Sequence, residues 1–519
     1  MRTVHDAPDE LLESYEATPY DSKPINATYV PWLEVVSLLH GVVAAPSNAC
    51  RVLELGCASG GNLIPMAHQL PGSRFVGIDF SPNQIAEGRR SVSALGLTNV
   101  DLRAMSIADI DDDLGAFDYI ICHGVYSWVP PDIQDAVLRV CSRNLAPTGV
   151  AYVSYNVYPG WHRREIVRDM LRFHDDPSLP PAERIARARA FATTAAESAT
   201  DATSVHASIL DDEAKTLAGQ FDTHLMHEQL EAFNAPVYFT DFVGRAARHK
   251  LGYLGDAAVW VSCRPLPEWL KASGLVAGDA IREQQYLDFL EGQQFRRSLL
   301  CHDHLSPRAK PAATSIPSLH CSTQAVRIAP SADGLTATAE AFRSPEGSNV
   351  TTDEPVMLAV LRSLLDESPS MISFDELARR VDATPGAGVS SPEARQHAIA
   401  DAVLALAMGG FVDLRARCVA IARRPSERPL ATAPARLRAK ETDLVGSLSH
   451  RTVTLSGIER FLLVQLDGTR ARDDLLDLVE RAVASGELGT GGAALSGAEL
   501  ADRLERILDR FASSALLEA

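Results

Sequence analysis

The residues best suited to chemistry lie between Arg51 and Asp79. Arg51-Val52-Leu53-Glu54-Leu55 is a short apolar run interrupted by one carboxylate, and it suits a buried strand. Gly56, Gly60 and Gly61 then form a tight turn around Cys57 and Ala58. Asn62 leads into a helix start at Leu63-Ile64-Pro65-Met66-Ala67. A strand, a glycine turn and a helix start make a cradle for an anionic group. The backbone is bare enough for close approach, and the first amides of the helix have no intrahelical partner. A second strand, Arg74 to Asp79, ends in a carboxylate about 20 residues beyond the turn, the spacing of a ribose-binding acid. Spacing alone admits a dinucleotide oxidoreductase. The loop argues against it, because Ala58 holds the middle glycine position of G-x-G-x-x-G and the run reads E-x-G-x-A-x-G.

That run resembles motif I of the class I S-adenosylmethionine (SAM) methyltransferases, with Asp79 as their ribose acid. The resemblance implies SAM as cofactor, held by Glu54, Gly56, Cys57, Ala58, Gly60, Asn62 and Asp79, with Phe80 and Gln84 bordering ribose and adenine. After the third strand stands Ser106, where many class I enzymes carry an acid. Ser106 and the Ser106–Ile107 backbone would serve instead. The fourth strand runs into His123-Gly124-Val125-Tyr126-Ser127-Trp128-Val129-Pro130. The fifth runs into Tyr155-Asn156-Val157-Tyr158-Pro159-Gly160-Trp161. These aromatic loops resemble those of bacterial methyltransferases with a methyltransferase regulatory domain, among them the rickettsial protein lysine methyltransferases. The similarity runs through Leu251–Ala257, Glu283–Phe289 and Phe295–Cys301 and covers roughly residues 12–302.

The resemblance implies methyl transfer to a protein or peptide, with lysine as acceptor. A lysine must arrive uncharged, against a reference pKa of about 10.4, and aromatic surroundings disfavour its charged form. Tyr126, Trp128, Tyr155 and Trp161 suit that role. Asn156 would orient the acceptor nitrogen, and His123 would either accept a proton or contact the cofactor. The alternatives are a small-molecule or natural-product acceptor, or a SAM-binding regulatory protein.

Alternating strand and helix patterns place these loops. Strand candidates end near Leu55, Asp79, Ala104, Cys122 and Tyr155. Helical stretches lie between them at Leu63–Gln69, Pro82–Leu95 and Asp132–Asn144. The fold class expected is α/β: a Rossmann-like, doubly wound parallel sheet with its ligands at the carboxyl ends of the strands. Residues 1–45 read as a lid segment, with a helix at Asp9–Glu16, Tyr20 as the lid contact and a helix over Val30–Val42. The cofactor domain is 46–160. A helical middle or regulatory domain is 161–305, of which 236–262 is a candidate to complete the sheet. Residues 306–350 read as a linker in which Arg327-Ile328 and Leu335–Thr338 pair. Residues 351–428 read as a winged-helix-like domain of three helices and a hairpin, Phe411–Leu414 with Cys418–Ile421, and 429–519 as a C-terminal helical domain. The cradle lies wholly in the first domain, so residues 351–519 are expected to position a macromolecule and to be dispensable for SAM binding.

Composition narrows the class further. The 519 residues carry a net charge of −18, which disfavours nucleic acid as a partner. No apolar stretch is long enough for a membrane span, and eight scattered cysteines without C-x-x-C suit a reducing cytoplasm. A homodimer is a candidate assembly. No metal site is expected: Cys301-His302-Asp303-His304 is the densest ligand-like run, and it reads as chance.

Overall fold

The computed structural model describes residues 16, 18–20, 22–199, 201, 203–231, 233–329, 338–384, 391–488 and 496–519. All but the end of the expected helix at Asp9–Glu16, and residues 335–337, lie outside that set. Five strands form where the apolar runs predict them: β1 (Arg51–Leu55), β2 (Arg74–Asp79), β3 (Val100–Ala104), β4 (Phe117–Cys122) and β5 (Leu145–Asn156). β6 (Leu251–Asp256) and β7 (Phe295–His302) come from the middle region, and all seven share one sheet ordered β3-β2-β1-β4-β5-β7-β6. The first five pair in parallel, and β7 inserts antiparallel between β5 and β6. Segment 236–262 therefore does join the sheet, but through β7.

Successive side chains of the sheet supply two cores. On β4, Ile120 and Cys122 pack with Ala136, Val137 and Val140 of the helix Pro131–Arg143. Tyr119 and Ile121 pack on the other face with Leu63, Met66 and the helix Val30–Leu39. That last helix is buried on two sides. Leu33 and Val36 meet the sheet, while Val35 and Leu39 belong to the core of residues 316–414. The helix Pro82–Ala94 opens on Ser81, whose Oγ accepts the Gln84 amide, with Pro82 at its first position.

Downstream, helices Trp161–His174, Pro181–Glu197 and Val205–Gly219 share a separate core around Val167, Ile185 and Leu217. The expected linker is structured. It contributes β8 (His320–Ser322) and a sheet of β9 (Val326–Ile328), β10 (Glu340–Arg343) and β11 (Asn349–Thr352). β12 (Ile372–Ser373) and β13 (Asp413–Arg415) both pair with β8. The hairpin expected at Phe411–Leu414 and Cys418–Ile421 is thus not formed. Arg417 and Cys418 are exposed and have no face to bury, so β13 finds its partner in β8. The last unit surrounds Leu462, Leu475, Leu508 and Phe511 with helices, and it also carries a short hairpin, β14 (Leu444–Gly446) with β15 (Thr452–Thr454).

Candidate active site

The sheet register brings the glycine turn beside Asp79, because Leu55 of β1 pairs with Ile78 of β2. At Gly56 φ is +77°, and a Cβ would stand 2.4 Å from Val125 Cγ2, so no larger residue fits. The Ala58 amide donates to Asp79 Oδ2 at 2.8 Å and the Ser81 amide to Oδ1 at 2.9 Å. Each oxygen keeps a further lone pair for a ribose hydroxyl. Burial raises the Asp79 pKa, and the amides of Ser81, Ala58 and Phe80 oppose it.

Glu54 is the most constrained group of the cradle. Its Oε1 accepts from Asn62 Nδ2 at 2.7 Å, and its Oε2 is buried without a hydrogen-bond partner. Burial pushes the carboxyl up to about 8, Asn62 pulls it down and Asp79 pushes it up. A buried carboxyl oxygen with no donor is costly to keep. The ammonium of a methionine moiety supplies a donor of the right charge, and the bare backbone at Gly56 admits close approach. On both counts the residues present fit SAM.

Other expected contacts divide. Phe80 is 44 % exposed at the end of β2, and Gln84 is buried in the first turn of its helix. The Cys57 side chain belongs to the sheet core, where a Cβ on Gly77 would meet its Sγ at 2.8 Å, so only its backbone is open to a cofactor. Ile107 is likewise core, and Ser106 Oγ accepts the Ala108 amide at 3.2 Å. His123, at the end of β4, lies with Nδ1 2.8 Å from the Tyr152 hydroxyl. Burial first, then Arg297 and Lys23, push it down to about 3. An imidazole so disposed stays neutral at neutral pH and is a poor proton acceptor.

The aromatic loops are mostly internal. Tyr126 and Tyr155 are fully buried against Phe242, with ring centroids 5.3 and 3.9 Å from it, and the Tyr155 hydroxyl shares a 2.8 Å hydrogen bond with Ser298 Oγ. Their rings serve the core, which corrects the expectation that they meet the acceptor. Trp161 is buried beneath the Arg164 guanidinium, 4.8 Å from its ring. Trp128 is half-buried and meets Trp161 edge to face at 6.1 Å. Asn156 is fixed: Ser127 Oγ accepts from its amide at 2.8 Å, and its Nδ2 donates to Asn234 Oδ1 at 3.0 Å.

The N-terminal arm crosses the cradle. Ser22 Oγ accepts the Gly61 amide at 2.7 Å, and a Cβ on Gly61 would lie 2.3 Å from the Ser22 backbone. Tyr20 shares a 3.2 Å hydrogen bond with His224 of the middle region, so it ties the arm to that region. The last unit grips the same arm. Thr452 Oγ1 donates to the Pro24 carbonyl at 3.2 Å, and Arg438 Nη2 donates to that of Ser22 at 3.4 Å. His450 Nε2 lies 2.7 Å from Asn62 Oδ1. The cradle is therefore not confined to the first domain, because both ends of the chain complete it. His450 stands 388 positions from Asn62, and no local sequence signal marks it. In the Cys301–His304 run, Cys301 faces the core and His302 Nε2 bonds to the Leu145 carbonyl. Among the described residues no three His, Cys, Asp or Glu side chains converge on a metal position.

Comparison with known proteins agrees with this geometry. The family described as "Methyltransferase domain" matches residues 53–151, and "Predicted methyltransferase regulatory domain" matches 222–302. "PKMT, C-terminal winged helix domain" matches residues 427–516, where the sequence reading expected helices only. An uncharacterized protein of Rickettsia prowazekii is 32 % identical over 527 residues, covering 97 % of this chain and 93 % of that protein. A second one is 35 % identical over 235 residues, covering 45 % and 94 %. The solved structure of PKMT2 from Rickettsia typhi in complex with AdoHcy superposes with a TM-score of 0.85 at 26 % identity, covering 96 % of this chain and 100 % of that one.

Proposed function

The chain belongs to the class I SAM-dependent methyltransferases that carry a methyltransferase regulatory domain, and from that premise we propose that it methylates lysine side chains of a protein. The observation that carries the proposal is the chain-long likeness to PKMT2, a protein lysine methyltransferase, including the winged-helix unit. When bound, SAM supplies the electrophilic methyl group, and the protein's share is position and electrostatics.

In this reading Glu54, Asp79 and the bare backbone of the glycine turn hold the cofactor, and Phe80, Gln84, Ser106 and the Ile107 backbone border its nucleoside. The arm at Ser22 and Lys23 keeps water from the cradle. Trp128 lies on the loop that leaves β4, and Asn156 is the last residue of the adjacent strand β5. Trp128 gives the acceptor an apolar wall, which disfavours its ammonium form. Asn156 orients the acceptor nitrogen through its side-chain carbonyl. His123 stays neutral and adds no repelling charge, and the lysine proton leaves to solvent.

The test incubates the enzyme and tritiated SAM with a bacterial lysate, then separates macromolecules from small solutes. Base-stable label recovered as methyllysine after hydrolysis of the protein fraction is expected. Label confined to the small solutes would contradict the proposal.

A further inference from the structure

The tip of the β14–β15 hairpin, Ser447 to Arg451, reaches into the first domain. His450 occupies it with φ +57° and is wholly buried. Its ring stacks on Tyr29 at 4.8 Å, and the Arg415 guanidinium lies 4.8 Å from the Tyr29 ring. Its Nε2 meets Asn62 Oδ1 at 2.7 Å.

Asn62 has all four of its hydrogen-bonding positions filled. The Ile25 amide, which can only donate, reaches Oδ1 at 3.0 Å and so identifies that atom as the acceptor. His450 Nε2–H is the second donor to the same oxygen. On the nitrogen side, Nδ2 donates to Glu54 Oε1 at 2.7 Å and to Thr28 Oγ1 at 2.9 Å. The Thr28 hydroxyl hydrogen goes to the Ile25 carbonyl at 2.9 Å, leaving its oxygen to accept. With two donors fixed on Oδ1 the amide does not turn over, and a hydrogen bond always faces Glu54 Oε1. The unpartnered Oε2 is then the oxygen left for the cofactor.

We propose that His450, supplied by the winged-helix unit, is a positioning residue for SAM binding: it locks the Asn62 amide so that Glu54 presents a free, ionisable oxygen to the amino group of the cofactor. Without His450, Asn62 Oδ1 keeps the Ile25 amide and the longer 3.2 Å contact to Thr28 Oγ1, whose hydrogen the Ile25 carbonyl already takes, and the amide turns over more readily. Oδ1 would then face Glu54 and favour its protonated form, which repels no cation but attracts none. Linkage requires the reverse effect: SAM must tighten the hairpin tip against the first domain. The inference rests on the reading of Glu54 as a cofactor group. The charged and titratable groups facing these hydrogen bonds are Glu54, Asp79, Cys57 and Cys122 on the cradle side, and Tyr29, Arg415, Asp413 and His450 on the hairpin side.

The experiment compares full-length wild type, His450→Ala and His450→Gln by calorimetry, with two ligands across pH 6 to 8.5. One ligand is SAM. The other is 5′-methylthioadenosine, which keeps the nucleoside and lacks the amino-acid portion. One lost hydrogen bond predicts SAM binding about three- to tenfold weaker in His450→Ala at neutral pH. The pH dependence of SAM affinity should also move to higher pH, while the nucleoside ligand binds as in wild type. Gln carries an amide nitrogen near the place of Nε2 and should restore SAM binding. If His450→Ala does not fold, His450→Leu serves as the donor-free variant beside His450→Gln. Equal weakening of both ligands, or an unmoved pH profile, would overturn the proposal and leave His450 a packing residue. Failure of the wild type to bind SAM at all would instead strike the cradle itself.

Discussion

Replacing Glu54 by Gln tests the electrostatics of the cradle. Burial holds this carboxyl near 8 in the free protein. At pH 7 it is therefore about nine-tenths protonated, and ionising it costs about 1.4 kcal/mol. An arriving ammonium favours the ionised form, so SAM binding should expel most of one proton. The amine of the ligand, with a pKa near 8, takes up about 0.1 of a proton, so the net release is about 0.8. A charge-assisted hydrogen bond contributes about 1.5–3 kcal/mol, from which the ionisation cost is subtracted. Glu54→Gln should thus weaken SAM by no more than about twentyfold at pH 7. The deficit should grow as pH approaches 8.5. Calorimetry in buffers of different ionisation enthalpy reads the proton count directly. A wild type that releases no proton, or a Gln variant that releases as many, would refute the reasoning.

Further outcomes follow from the same geometry. Because Glu54 is an acid with a raised pKa, the folded chain keeps a proton that the unfolded chain loses between about 4.5 and 8. Its contribution to the stability of the SAM-free protein is therefore full below that window and falls as pH rises through it, so wild type should lose more Tm than Glu54→Gln between pH 5 and 8. Asp79→Ala removes the acceptor of the Ala58 and Ser81 amides as well as the ribose acid, and titration should show SAM at least about tenfold weaker. Gly56→Ala combines a positive φ with a 2.4 Å contact on Val125, and chemical unfolding should show a loss of about 2–4 kcal/mol. Trp128→Ala should cut turnover on a protein acceptor while SAM affinity stays within about twofold, since each loosely packed aromatic contributes to a cationic or apolar ligand by about 0.5–2 kcal/mol. A chain ending at residue 349 should lose SAM affinity, because it lacks His450 and strips the cover from Val35 and Leu39 on the helix Val30–Leu39.

The strand, glycine turn and acid that frame the candidate cradle were legible because their signals are local. A strand, three glycines and an acid fall within thirty or so residues, and parallel pairing of β1 with β2 is what unites them. Ser81 and Pro82 announced their helix by the same kind of short-range chemistry. The acceptor side misled because an aromatic residue gives the same letter whether it lines a cleft or fills a core. Tyr126 and Tyr155 went to the core because Phe242, over eighty positions later, offers them a ring to pack on. β7 escaped notice because it inserts out of chain order. The β14–β15 hairpin has strands of three residues, too short for a period to show. The dependence of the cradle on the C-terminal unit runs through single long-range contacts, above all His450 with Asn62, and spacing carries no trace of those.

The claim that this chain moves a methyl group from SAM to a lysine side chain is tested most directly by mass. The enzyme is incubated with trideuteriomethyl-SAM and a lysate of its own host, and tryptic peptides are sequenced by tandem mass spectrometry. The account predicts trideuteriomethyl groups on lysine ε-nitrogens, absent when wild type is replaced by Asp79→Ala. Trideuteriomethyl groups found only on other residue types or only on small molecules, with wild-type enzyme that binds SAM, would contradict it.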